Sequence, residues 1–154
     1  MELALLPLSP ITLSPVKRRI VYVLIFEIVA IILSTLLLML LSGSSVQGSL
    51  PVAIAISVIA VIWNYVFNTL FEAWERRYRV SERRLKIRIV HAVGFEFGLL
   101  ILTIPLYMLW YQVGLWQALV METALLVFFL FYTFIFTWLF DLVFALPHTN
   151  KSSE

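Results

Sequence analysis

Polar positions are sparse along this chain, and they leave four long apolar stretches at about 20–41, 50–74, 88–110 and 118–144. Between Ile20 and Leu41 the strongly polar side chains are Glu27, Ser34 and Thr35. At 1.5 Å of rise per residue, each stretch, as a helix, is long enough to cross a hydrocarbon core of about 30 Å. The interruptions predict how the helices are joined. Ser42 to Ser49 are small and uncharged, and Pro51 suits the first turn of the helix that follows. Tyr111 to Gln117 form a second uncharged turn, whereas Glu75 to Arg88 is dense in charge. Pro105, inside the third stretch, predicts a local kink, which neighbouring helices tolerate in a membrane. Residues 1–16 carry Pro7, Pro10 and Pro15 and no positive charge, so they read as a flexible tail and not as the basic start of a secretory signal. The first helix is then an uncleaved anchor, and 145–154 is a polar tail.

Composition agrees with this pattern: of 154 residues, 62% are hydrophobic and 13% charged, and the mean hydropathy is +1.01. Those values describe an integral membrane protein. There is no Cys, and the only imidazoles are His91 and His148, so no nucleophile or metal set is available, no cofactor is expected and an enzyme is disfavoured. Of the 11 Lys and Arg, three precede the first helix, seven lie between 75 and 88, and Lys151 is in the tail. Positive charge favours the cytoplasmic side, which places both termini and the middle connection there. The Arg-rich connection is read as a topology signal in contact with anionic lipids, and no nucleic-acid partner is expected.

The helices repeat. Arg19-Ile20-Val21-Tyr22 and Phe26-Glu27 recur 69 residues later as Arg88-Ile89-Val90-His91 and Phe95-Glu96. The same offset carries Trp63, Asn64, Phe67, Asn68, Phe71 and Glu72 onto Tyr132, Thr133, Phe136, Thr137, Phe140 and Asp141. The fold class is therefore an all-α membrane protein, four transmembrane helices in two tandem hairpins of the same topology. The expected first pair is 17–80 and the second 81–144.

Candidate chemistry centres on Glu27 and Glu96, which lie inside apolar segments. A carboxylate at membrane depth costs about 2.5–3.5 kcal/mol to insert and by default marks an ion or substrate pathway. Desolvation disfavours its charged form, so it is suited to holding a proton or a cation in turn. Ser57, Asn64, Asn68 and Glu72 share one face of the second helix, and Glu122, Thr133, Thr137 and Asp141 share one face of the fourth. Small Ala92, one turn from Glu96, is expected to permit close helix approach. Asn64, Asn68, Thr133 and Thr137 read either as interhelical glue or as pathway groups, with Trp63 bordering the stripe. His91 reads as a proton carrier or a boundary residue, and Glu72 and Asp141 as partners of loop Arg residues or as direct participants. A site that takes either a proton or a cation suggests antiport, and nearby aromatics favour flat organic cations.

The phrases RxxYxxxFE at 19–27, WNxxFNxxFE at 63–72, RxxHAxxFE at 88–96 and YTxxFTxxFDxxF at 132–144 resemble the proteobacterial antimicrobial compound efflux family, built from a tandem bacterial transmembrane pair domain. The resemblance covers about 17–144, one phrase per helix in order. It implies four helices in the bacterial inner membrane and proton-coupled export of biocides such as chlorhexidine, with short-chain diamines as substrates of some members. It also implies a homodimer or a monomer–dimer equilibrium. By the same resemblance Glu27 is the essential embedded acid, Arg19, Tyr22 and Phe26 stand in its phrase, and Arg88, His91, Phe95 and Glu96 form the third-helix phrase. Glu122 matches an acid near the outer end of the fourth helix, and Glu72 and Asp141 match the helix-end acids. The chain departs from the pattern at Tyr22-Val23, where His-Ala is common, and at Thr137, where Asn is usual. Two other classes remain open on the residues alone: a membrane assembly or regulatory protein, and a passive cation channel.

Overall fold

The computed structural model describes residues 11–80, 82 and 84–144, so most of the expected N-terminal tail and the whole C-terminal tail, with His148 and Lys151, lie outside the described residues. Four helices follow in order: α1 Pro15–Ser42, α2 Val46–Arg77, α3 Leu85–Tyr111 and α4 Leu115–Val143. Each begins a few residues before the apolar stretch that predicts it. Pro15 opens α1, where a missing N–H costs nothing. Gly43 ends that helix at φ +70°, and its N–H reaches back to the Met39 carbonyl at 2.9 Å.

Ser45 caps α2, its side chain accepting from the Gly48 N–H. Helix α2 thus starts ahead of Pro51, which lies inside the helix and not at its first position. Arg76 and Arg77 occupy its last turn, where cations complement the exposed carbonyl ends. Pro105 lies inside α3, and Gln112 ends that helix in the left-handed conformation at φ 54°.

Packing divides the described residues into two compact units, 11–30 with 127–144, and 31–126. In the first, the N-terminal half of α1 lies along the C-terminal half of α4, and the Ile11 N–H donates to the Val143 carbonyl at 3.0 Å. Tyr132 and Phe140 are its buried aromatics. The second unit buries Leu38, Val52, Ala53, Ile56, Tyr107, Ala118, Met121 and Leu125, together with the polar Ser49, Thr103 and Glu122. Trp110 donates its indole N–H to the Gly48 carbonyl at 2.7 Å in this unit. Large apolar side chains such as Leu40 and Trp116 are more than four-fifths exposed in the chain alone, which suits a surface solvated by lipid.

Candidate functional site

In the 31–126 unit, α2 presents Trp63, Phe67 and Phe71 to His91 and Phe95 of α3. The Trp63 indole N–H donates to the Phe95 carbonyl at 2.9 Å, and His91 Nε2 lies 2.8 Å from Asn68 Oδ1. Phe67 meets Phe95 edge-on at 5.7 Å and His91 at 5.1 Å, and Phe71 meets His91 at 4.7 Å. Two glycines make this approach possible. A Cβ on Gly98 would fall 1.9 Å from the Trp63 ring, and one on Gly94 would fall 3.2 Å from Phe67.

The other unit contains the same constellation, shifted by 69 residues. Tyr132 stands for Trp63, and its hydroxyl donates to the Phe26 carbonyl at 2.8 Å. Tyr22 stands for His91, and its hydroxyl lies 2.8 Å from Thr137 Oγ1, the counterpart of Asn68. Phe136 meets Phe26 at 5.2 Å and Tyr22 at 5.3 Å, and Phe140 meets Tyr22 at 5.0 Å, all edge-on. In each unit the carbonyl that accepts from the aromatic donor belongs to the residue just before the acid, Glu27 or Glu96. Both acids are half-buried at these seams, and Glu27 interacts electrostatically with Tyr132.

Beside each seam runs an open groove. One of about 450 Å³ is lined by Val61, Asn64, Tyr65, Asn68, Thr69 and Glu72. The other, of about 640 Å³, is lined by Phe129, Leu130, Thr133, Phe134, Thr137, Trp138 and Asp141. Every position of the first has its repeat counterpart in the second. The Asn68 amide donates to both the carbonyl and the side-chain oxygen of Asn64, tying the stripe along α2. At the end of the second groove the acid is neutralised: Asp141 forms an ion pair with Arg18, whose guanidinium also lies 5.2 Å from the Phe140 ring centre and 3.4 Å from the Phe144 carbonyl.

Glu122 is placed apart from that stripe. It is 94% buried within the 31–126 unit and accepts from the Tyr107 hydroxyl at 2.8 Å, while the buried Thr103 hydroxyl donates to the Leu99 carbonyl at 2.9 Å. The expected face of Glu122, Thr133, Thr137 and Asp141 is therefore split: the last three line a groove and Glu122 turns into the core, drawn by a buried donor.

Three further differences from the sequence reading have physical causes. Ala92 is exposed, and the close helix approach occurs at Gly94 and Gly98, which have no side chain to displace the rings. Asp141 pairs with Arg18 of the first turn of α1 and not with an Arg of the 75–88 connection, because Arg18 lies one turn before Tyr22 on the face turned to α4. Asn64 and Thr133, read as interhelical glue or pathway groups, are exposed in the chain alone, as are Glu72 and Asp141. Tyr107 and Thr103 were not singled out as site residues; mirroring α3 onto α4 about the 112–114 turn brings Tyr107 close to Glu122 in register and was the available signal.

Comparison with known proteins decides the family. A family model described as chlorhexidine efflux transporter matches residues 14–77 and again 83–146, one match for each helical hairpin. The chain belongs to the chlorhexidine efflux transporter family. It is also similar to curated proteins named short-chain diamines transporter: 37% identical over 127 residues to one from Acinetobacter baylyi, spanning 82% of this chain and 89% of that protein. A second, from Vibrio parahaemolyticus, is 36% identical over 82% of this chain and 90% of its own length. A third, from Acinetobacter baumannii, is 33% identical over 81% and 86%. No solved structure matches the chain significantly. Membership of the chlorhexidine efflux transporter family, with four apolar spans, makes the chain a multi-pass membrane transporter of cationic compounds built as a tandem repeat.

Proposed function

We propose that this transporter exports cationic organic compounds, chlorhexidine-like biocides and short-chain diamines, from the cytoplasm across the bacterial inner membrane in exchange for entering protons. The observation that carries this reading is the placement of Glu27 and Glu96 at equivalent points beside two matching aromatic clusters. A carboxylate in an apolar span gains by taking up either a proton or a cation, and aromatic faces favour the cation. If occupancy by one excludes the other and each form opens to a different side, exchange follows from differential affinity alone.

In this scheme Glu27 and Glu96 couple proton and substrate, and Tyr22, Phe26, Trp63, Asn64, Asn68, His91, Phe95, Glu122, Thr133 and Thr137 line the pathway. Arg19, Glu72, Arg88 and Asp141 support its cytoplasmic end. The hairpins 17–80 and 81–144 act as paired halves with both termini cytoplasmic, supported by the distribution of Lys and Arg. Four helices enclose little volume, which supports a homodimer or a monomer–dimer equilibrium as the working form. The chain has no role as an enzyme in this scheme.

The test is internal pH in sealed proteoliposomes under an imposed proton gradient, with wild type or Glu27→Gln, as chlorhexidine or a diamine is added. Substrate-dependent proton flux in wild type and its loss in a folded variant is the expected result. Equal flux in both would make Glu27 structural, and conductance without proton exchange would favour a channel.

A further inference from the structure

Every lining position of the first groove has its repeat counterpart in the second, and the second ends on a tethered group. In the 127–144 part of the first unit, a guanidinium rests on Asp141 beside the Phe140 ring, and that guanidinium belongs to Arg18. It shows which chemistry this arrangement holds: a planar cation between a carboxylate and an aromatic face. The repeat counterpart of Asp141 is Glu72, of Phe140 is Phe71, and of Arg18 is Ile87. The α2–α3 seam keeps the same antiparallel register, so Ile87 stands opposite Glu72 as Arg18 stands opposite Asp141.

The surroundings of the two acids agree as well. Phe71 lies edge-on to His91 at 4.7 Å and stacked along Phe67 at 5.8 Å, as Phe140 does to Tyr22 at 5.0 Å and to Phe136 at 6.0 Å. Glu72 is exposed, lies in the last two turns of α2 where carbonyl ends favour a cation, and joins no ion pair among the described residues. Arg76, one turn further on, is not within ion-pair distance of it. From Glu72 the groove continues past Asn68, Tyr65 and Asn64, offering amide oxygens and one more ring along its length.

We propose that Glu72, with Phe71 and the groove toward Asn64, binds the planar head of a guanidinium-type organic cation, and that Arg18 bars the same ligand from the equivalent groove at Asp141. The proposal rests on reading the chain as a carrier of organic cations, and it makes the two halves unequal: one groove takes its cation from solution, the other from the chain. Ile87 and Arg18 are the specificity-determining positions.

The test is calorimetric titration of the full chain, in nanodiscs of zwitterionic lipid, with butylguanidinium. Glu72→Gln and Ile87→Arg are each expected to weaken binding about tenfold or more, the first by removing a charged partner and the second by supplying a tethered cation. Arg18→Ile is expected to add one further binding equivalent per chain, lost again in Arg18→Ile with Asp141→Asn. Helical content and a monodisperse elution profile confirm that each variant is folded; should Arg18→Ile not fold, Glu72→Gln and Ile87→Arg decide alone. Wild-type affinity in both of those variants, or no binding to wild type, overturns the proposal. The same titration in Glu27→Gln, set beside its substrate-driven proton flux, separates the two readings: retained Glu72-dependent binding with lost flux supports both, and retained binding with unchanged flux leaves the groove standing and removes Glu27 from the coupling.

Discussion

Trp63 donates its indole N–H to the carbonyl oxygen of Phe95, the residue immediately before Glu96. Tyr132 does the same to Phe26, immediately before Glu27. A helix carbonyl already accepts from the N–H four residues on, so each aromatic donor uses the second lone pair and fixes the adjacent helix in rotation as well as distance. The acid that follows is thereby held at a set angle to the seam. Apolar packing alone orients a helix loosely in lipid, because lipid tails compete on equal terms with side chains. A directional bond at the acid is what these two seams add.

Tyr132→Phe removes that bond and keeps the ring. Interhelical hydrogen bonds in membranes contribute about 0.6 kcal/mol on average, and rarely beyond about 1.7. Unfolding in mixed micelles should therefore shift by no more than that, while substrate-driven proton flux falls with the loss of orientation at Glu27. An unchanged flux would show that the bond serves only packing.

Gly98 tests the closeness of the α2–α3 seam. A Cβ there would sit 1.9 Å from the Trp63 ring, so Gly98→Ala should destabilise by about 1–3 kcal/mol through overpacking. The first repeat has Val29 at this place and Tyr132 in place of Trp63, a smaller donor against a larger neighbour. Gly98→Ala combined with Trp63→Tyr should accordingly recover most of the loss. Additive losses in the double variant would mean that the two positions do not share one space.

Much of this was legible in the sequence, and the reasons differ by feature. The four helices follow from the length of the apolar stretches, and the tandem repeat from Phe26-Glu27 against Phe95-Glu96. The aromatic seams were half visible: Trp63 and Tyr132 match by offset, but that both act as donors to a backbone carbonyl depends on three-dimensional register. Gly94 and Gly98 break the repeat where Ile25 and Val29 occupy the first copy, a departure that carries meaning only once the bulk of the Trp63 and Phe67 rings is set against it. Arg18 lies next to the repeated Arg19, and its choice by Asp141 follows from helix rotation, which periodicity across three consecutive cations does not specify.

The pairs Tyr22–Thr137 and His91–Asn68 occupy the same place in the two repeats with different chemistry. Asn68→Thr alone leaves His91 with a shorter partner, and His91→Tyr alone faces an amide too long for it. Together the two substitutions rebuild the first-repeat pair. The double variant should be more stable than the two single losses predict, with a coupling of about 0.5 kcal/mol or more. Chemical denaturation of the four proteins of the cycle measures it, and zero coupling would mean that the two side chains act independently.

Tyr107 and Glu122 have repeat counterparts in Leu38 and Ala53, an apolar pair buried in the same unit. The second repeat thus carries a buried acid and its donor where the first carries two buried apolar side chains. Tyr107→Phe removes the donor and strands the carboxyl, which should cost about 1–3 kcal/mol. Copying the first repeat, with Tyr107→Leu and Glu122→Ala together, removes both members and should be better tolerated than Tyr107→Phe, because no polar group is left without a partner. Stability and transport then separate. If Glu122 lies on the pathway, this double variant keeps a cooperative unfolding transition and loses substrate-driven proton flux. Full flux in a stable double variant would place Glu122 outside the pathway, and its bond to Tyr107 would be the structural counterpart of the buried apolar residues at the same positions of the first repeat.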